Sequence, residues 1–353
     1  MENRELKKSD TKALQGIAIL MMLFLHLFDR HDFEGIFYPS LFIKGIPVTY
    51  FLAQLSDCCV MLYAFCSGYG HYANMENRNT YKKRLNKLFL FFVNYWIAIT
   101  LFVIIGIALK SDYIPGNIID IIGNYTGLYE SYNTSYWYVT VYALLVIISP
   151  FILKCIKKNT VLVFVITGIL YCIGYAFRYE IFLANESADF VITKAGKFLM
   201  TLFEYSVGAI CSKEMYITKI AVMFDKIGRK HSICFLSCIL IVITYVHGLI
   251  LQNMIFAPIN GIILIIAYKY IISFDAIKNI LLYFGTHSTN IWFAHFYFCT
   301  DMFDKIVYYA KYPLLIYAFL IVLSLICSYI IDIIYEPIKK SLESRWQAST
   351  QYR

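Results

Sequence analysis

The sequence predicts an all-α integral membrane protein of about ten transmembrane helices, with the N- and C-termini cytoplasmic. Three observations carry that reading. Of the 353 residues, 60% are hydrophobic and only 15% charged, against about a quarter charged in a soluble domain. Apolar runs near 20 residues recur between short charged segments, the length that crosses a hydrocarbon core of about 30 Å. Alternating ten-residue strands, the mark of a membrane β-barrel, are missing.

The spans fall near 13–28, 46–72, 88–109, 136–153, 160–177, 195–212, 232–250, 254–274, 286–304 and 313–335. Basic residues orient them. With the N-terminus inside, inner segments hold 23 of the 31 Lys and Arg and outer segments 8, the bias expected of cytoplasmic loops. An added or missing span would invert half of the loops and spoil it. The first run lacks a small-residue cleavage site and continues into Phe28-Asp29-Arg30, so it reads as a retained span. The whole chain, 1–353, reads as one transmembrane domain with short basic tails at about 1–12 and 338–353, multi-pass in the cell membrane.

The first span, ALQGIAILMMLFLH, runs from Ala13 to His26. Gln15 and His26 stand three helical turns apart, roughly 16 Å. An ionisable group in such a segment is expensive unless it faces the bundle interior. Span two holds Gln54, Ser56, Asp57, Ser67 and Gly68, and span nine holds Asn290, His295, Thr300 and Asp301. Both are too polar to face lipid. Residues 110–135 form a long outer loop, and its apolar Ile118, Ile119, Ile121 and Ile122 suit a helix lying in the interface. The segment after Pro337 is short and basic and suits a surface helix.

The net charge of +8 follows the loops and implies no nucleic-acid partner. The ten cysteines lie mostly inside spans with no CxxC or Cys/His ligand spacing. They read as free thiols and small apolar fillers, with no metal site and no bound cofactor. The 31 Tyr and 28 Phe suit an interfacial belt, and aromatic faces also bind sugar rings.

Four stretches carry candidate chemistry, each with a plain structural reading beside it. His26 suits proton transfer near neutral pH, with Asp29 one turn on to orient it, or is a packed polar residue. RNTYKKRLNKL, from Arg78, carries Arg84 and Lys87 at i, i+3. It is a topology signal that attracts anionic lipid, or a fork for the phosphates of coenzyme A. In YWYVTVYALLVIISP, Trp137 and Tyr142 read as an interfacial anchor or as a ring-binding face. In YFGTHSTNIWFAHF, Ser288 and His295 lie two turns apart on about one face and read as structural or catalytic.

Taken in order, these stretches resemble acyltransferase family 3, multi-pass enzymes that modify surface glycans and lipid-linked sugars. LQGIAILMMLFLH is similar to the family's LRGIAILLVVLFH, LYAFCSGYGHY (Leu62–Tyr72) to FFFLSGY, and Arg84-x-x-Lys87 to R-x-x-R. Trp137…Tyr142…Pro150 resembles the W…Y…P element, and Gly285…Ser288…Ile291…His295 the G..S..IYLLH element. FEYSVGAI, from Phe203, is similar to the family's F..G span. The resemblance covers spans one to four and nine. It implies an O-acyltransferase, most often O-acetyl. Cytoplasmic acyl-CoA (acetyl-CoA as co-substrate) would donate to a sugar hydroxyl of an extracytoplasmic polysaccharide or lipid-linked glycan. His26 would be the acyl-transfer residue, as general base or transient acyl carrier. Arg84 and Lys87 would hold the donor, while Ser67, Trp137, Tyr142, Ser288 and His295 would line the path. The family's basic residue falls on Gln15 here, and Lys12, three residues earlier, is placed to reach the same face. A polysaccharide exporter or flippase related in fold is the alternative, needing no donor site, and a membrane glycan polymerase is a third reading. A homodimer is compatible with all of them.

Overall fold

The computed structural model describes residues 5–77, 80–178, 190–250, 254–271, 275–300 and 302–351; Arg78 and Asp301 lie outside them. The regular structure of the described chain is helical apart from a pair of two-residue strands, Phe42–Ile43 and Ile46–Pro47. In chain order the helices are α1 (Lys8–Phe28), α2 (Val48–Leu55), α3 (Cys59–Ala73), α4 (Thr80–Ala108), α5 (Ile118–Tyr125), α6 (Trp137–Lys158) and α7 (Thr160–Arg178). They continue as α8 (Phe190–Glu214), α9 (Tyr216–Ile227), α10 (Arg229–Leu249), α11 (Ala257–Ile271), α12 (Asp275–Cys299), α13 (Asp304–Tyr308) and α14 (Pro313–Gln351).

Among the described residues, seven helical stretches are long and apolar enough to cross a membrane: Lys8–Phe28, Val48–Ala73, Thr80–Ala108, Thr134–Lys158, Thr160–Arg178, Arg229–Leu249 and Pro313–Ala348. The other three expected spans are helices of a different character. α8 and α12 have 25 residues each, but α8 carries Lys194, Lys197 and Glu204, and α12 carries Lys278, His287, Asn290 and His295. α11 has only 15 residues.

Three boundaries differ from the sequence expectation. The basic stretch before span three is not a loop, because α4 begins at Thr80 and puts Lys82 to Lys87 on its first two turns. The segment after Pro337 is no separate surface helix, since α14 runs 39 residues straight through it. Span two is broken by a single 3-10 turn at Ser56–Cys58. Ser56 Oγ donates to the Leu52 carbonyl at 2.8 Å and Cys58 Sγ to that of Leu55 at 3.2 Å. Such local side-chain bonds compete with the helical ladder.

The chain divides into two compact units: residues 1–80 with 147–288, and residues 81–146 with 289–353. In the first, α3 packs along α8, α8 along α7, and α1 against α2 and α3. Facing glycines permit backbone contact there. A Cβ on Gly68 would overlap the Tyr205 carbonyl oxygen, and one on Gly208 the Phe65 carbonyl oxygen. Gly16 of α1 and Gly285 of α12 meet the same way, against the carbonyls of Leu281 and Lys12. Small residues at such crossings let helices gain van der Waals contact where lipid supplies no hydrophobic drive.

The second unit has an aromatic core of Tyr95, Phe102, Tyr132, Tyr136, Phe293 and Tyr297, all fully buried. Phe102 stacks on Tyr297 with ring centroids 3.9 Å apart. The Tyr136 hydroxyl donates to the Phe293 carbonyl at 2.8 Å. A polar ladder ties three helices: Asn94 Nδ2 donates to Asn290 Oδ1 at 2.6 Å, and Asn290 Nδ2 to Asp332 Oδ1 at 2.8 Å. α5 is started by a capping box between Asn117 and Asp120. It leaves Ile118, Ile119 and Ile122 well over half exposed, the apolar face expected of an interfacial helix.

Candidate functional site

Each unit holds part of the predicted set. In the first, α1 carries Lys12 and Gln15 near its start and His26 near its end. Lys12 Nζ donates to Gln15 Oε1 at 3.2 Å, so an ammonium rests on the Gln15 side-chain amide. The Tyr63 hydroxyl donates to the Gln15 carbonyl at 3.3 Å, and Ser288 lies beside Tyr63. Ser288 is buried and donates to the Gly285 carbonyl at 2.9 Å. Gln15, Tyr63 and Ser288 thus gather where α1, α3 and α12 meet, next to the Gly16–Gly285 contact. Ser67, one turn beyond Tyr63, is half-buried.

The start of α1 is held by charge. Asp10 is buried and accepts from Lys278 at 2.9 Å, Lys269 at 3.3 Å and the Tyr268 hydroxyl at 3.0 Å. Glu5 accepts from the Tyr69 hydroxyl and from Thr218. These bonds fix the height and rotation of α1, and with it Lys12 and Gln15.

At the other end of α1, His26 is half-buried. Asp29, the cap one turn on, accepts a hydrogen bond from Gln54 Nε2. Three residues beyond Gln54 lies Asp57, whose Oδ2 is 3.3 Å from His247 Nε2. His247 Nδ1 in turn is 3.1 Å from Asn260 Nδ2. Glu204 and Arg178 lie close enough to act on the Asp57 charge. Gln54 and Asp57 stood out in the sequence as polar residues in span two. His247, Glu204 and Asn260 did not, because each is one polar residue in an apolar run and only the packing of α8, α10 and α11 brings them to Asp57.

In the second unit, Arg84 is buried and Lys87 exposed, both on the opening turns of α4. Tyr142 packs on Phe91 (centroids 5.0 Å apart) and on Tyr138, which also contacts Trp137 and Trp292. Trp137 and Tyr142 therefore belong to one aromatic wall with Trp292. His295 follows on α12, fully buried, its Nδ1 2.8 Å from the Trp292 carbonyl. A carbonyl accepts only, so Nδ1 carries the proton and Nε2 is the acceptor nitrogen.

Back in the first unit, a cavity of about 300 Å³ opens beyond the end of α3, lined by Tyr72, Ala73, Met75, Glu76 and Ser212. Glu76 bonds Lys157 Nζ at 2.6 Å, which holds its carboxyl below the ordinary value. The pair stabilises above the unfolded-state value and is lost as pH falls through the lower folded one; both groups are exposed, so the effect is screened.

A family model described as an acyltransferase domain matches residues 11–333. It thus includes α1 through most of α14, with every candidate residue above. No curated protein and no solved structure matches the chain. The apolar helices and the extent of that match lead to one conclusion: the chain belongs to acyltransferase family 3 and is a multi-pass membrane acyltransferase.

Proposed function

We propose that the protein is an O-acyltransferase, with acetyl as the acyl group. It takes the group from cytoplasmic acyl-CoA and places it on a sugar hydroxyl of an extracytoplasmic polysaccharide or lipid-linked glycan. Ten spans with both termini inside fit the distribution of Lys and Arg, with α8 and α12 crossing as the more polar helices and α11 as a short apolar one. The observation that carries the reading is the layout of α1. A cation, Lys12, rests on Gln15 at one end, and an imidazole, His26, stands three turns away at the other.

His26 takes the proton of the attacking hydroxyl as its oxygen bonds to the acyl carbon and the carbon–sulfur bond breaks. The buried guanidinium of Arg84 and the exposed ammonium of Lys87 bind phosphate of the donor, a task suited to charge-assisted bonds. Trp137, Tyr142 and His295 offer an aromatic and imidazole wall for sugar or acyl group, and Ser67 and Ser288 offer hydroxyls on α3 and α12.

Mass spectrometry of surface glycan from a deletion strain beside its parent tests the assignment. Loss of one acetyl increment per repeat supports it; unchanged glycan in lower amount points to export instead. Two variant series test the donor side. Lys12→Met is expected to raise the KM for acetyl-CoA about tenfold or more, the value of one charge-assisted bond. Adding Gln15→Arg should restore it. Arg84→Ala with Lys87→Ala is expected to weaken acetyl-CoA binding, measured by equilibrium dialysis, by about 10²-fold, and to make the residual binding less salt-dependent.

A further inference from the structure

The polar cluster behind the end of α1 is larger than the proposed reaction uses. Asp57, Glu204, His247 and Asn260 are all buried, none more than 6% exposed. They come from four elements: the turn after α2, α8, α10 and α11. Their bonding is uneven. His247 has Asp57 Oδ2 on one nitrogen and Asn260 on the other. Three acceptor oxygens, Asp57 Oδ1, Glu204 Oε2 and Asn260 Oδ1, have no hydrogen-bond partner among the described residues. A buried polar atom without a partner is costly, so these oxygens call for donors. The donor that fits acceptor oxygens in so closed a space is a proton.

The charged and titratable groups around Asp57 are few. Asp29 acts on it from the end of α1, Glu204 from α8, Arg178 from the end of α7, His247 from α10, and the neighbouring thiols Cys58 and Cys59 from the turn and the start of α3. That is three carboxylates against one guanidinium and one imidazole. One extra proton in the cluster reduces the imbalance, and its loss restores it.

The geometry points to Asp57, His247 and Glu204 as a proton-holding site that discharges His26 after each transfer. This rests on the reading of His26 as the base. The acceptor hydroxyl gives its proton to His26 as the carbon–oxygen bond forms and the carbon–sulfur bond breaks. The departing thiolate takes a proton from water on the donor side. The imidazolium, one turn from Asp29, passes its proton by way of Asp29 to the Asp57–His247 pair, and the proton then leaves to water through the half-buried Asp29. No electrons change hands, and His26 returns neutral for the next cycle. Asn260 is a positioning residue, since its bond to Nδ1 aims Nε2 at Asp57.

The test uses full-length protein in membranes, with acetyl-CoA as donor and surface glycan as acceptor, across a range of external pH. Asp57→Asn is expected to lower transfer about 10²-fold, leave the KM for acetyl-CoA unchanged and flatten one limb of the pH profile. Asp57→Glu should recover part of both rate and profile. Asp57→Asn and His247→Gln with native rate and native pH profile would overturn the relay while leaving His26 as base. Transfer that survives His26→Ala overturns the parent reading and the relay together. Should the variants fail to accumulate, infrared titration of the native protein decides. A buried carboxylic-acid carbonyl band that changes with pH supports the site, and its absence at every pH overturns it.

Discussion

His26→Ala is expected to lower acyl transfer by about 10²–10⁴-fold, the usual worth of a positioned base, in protein that still folds and still binds acetyl-CoA. The expectation follows from where His26 stands. It is half-buried at the end of α1, and the start of that helix is held independently by Asp10, Lys269, Lys278 and the Gly16–Gly285 contact. Removing an imidazole one turn from the far end leaves those restraints in place. Donor affinity, assigned to Lys12, Arg84 and Lys87, should therefore be unchanged, and the loss should fall on kcat. The measurement is acetyl incorporation into surface glycan beside binding of acetyl-CoA. A variant that loses both in equal measure would mean that His26 holds the fold or the donor.

A second large effect is expected at Gly68. Its Cβ position is occupied by the backbone oxygen of Tyr205, and backbone cannot rotate away as a side chain can. Gly68→Val should force α3 and α8 apart. Overpacking costs about 1–3 kcal/mol where side chains can yield, and here the upper end or more is expected. The protein should accumulate poorly and melt earlier. Gly70, two residues on in the same SGYG sequence, is the control. It lies in α3 with nothing near a built Cβ. Gly70→Ala should be neutral or stabilising by about 0.5–1 kcal/mol, the helical advantage of alanine. Thermal unfolding of the two in detergent separates a packing role from a general need for glycine.

The same motif shows what a sequence can and cannot disclose. Hydropathy locates the long helices because a membrane demands continuous apolar length. It does not locate the break at Ser56–Cys58, which depends on hydroxyl and thiol bonds to nearby carbonyls, nor the continuation of α14 through Pro337. At the site, the reach of Lys12 to Gln15 was legible because i, i+3 spacing on a helix fixes it, and the Lys12–Gln15 bond has that spacing. The Asp57–His247–Asn260 cluster was not legible. Its members are 190 and 13 residues apart in sequence, and only tertiary packing makes them neighbours. Glycines were ambiguous in a different way. Gly16, Gly68 and Gly285 all sit in stretches that resemble family motifs, and all three serve backbone contact.

Those contacts limit how the first unit can deform. Packed helices usually accommodate a ligand by shear, sliding a little along one another while side chains swap rotamers. Where carbonyl meets glycine there is no rotamer to swap. Moving α3 past α8, or α1 past α12, by a fraction of a turn would drive a neighbouring side chain into backbone oxygen. The glycine crossings act like dowels in a joint. During turnover these helix pairs can tilt together but not slip, so within this unit acyl and acceptor groups must move against a stationary frame.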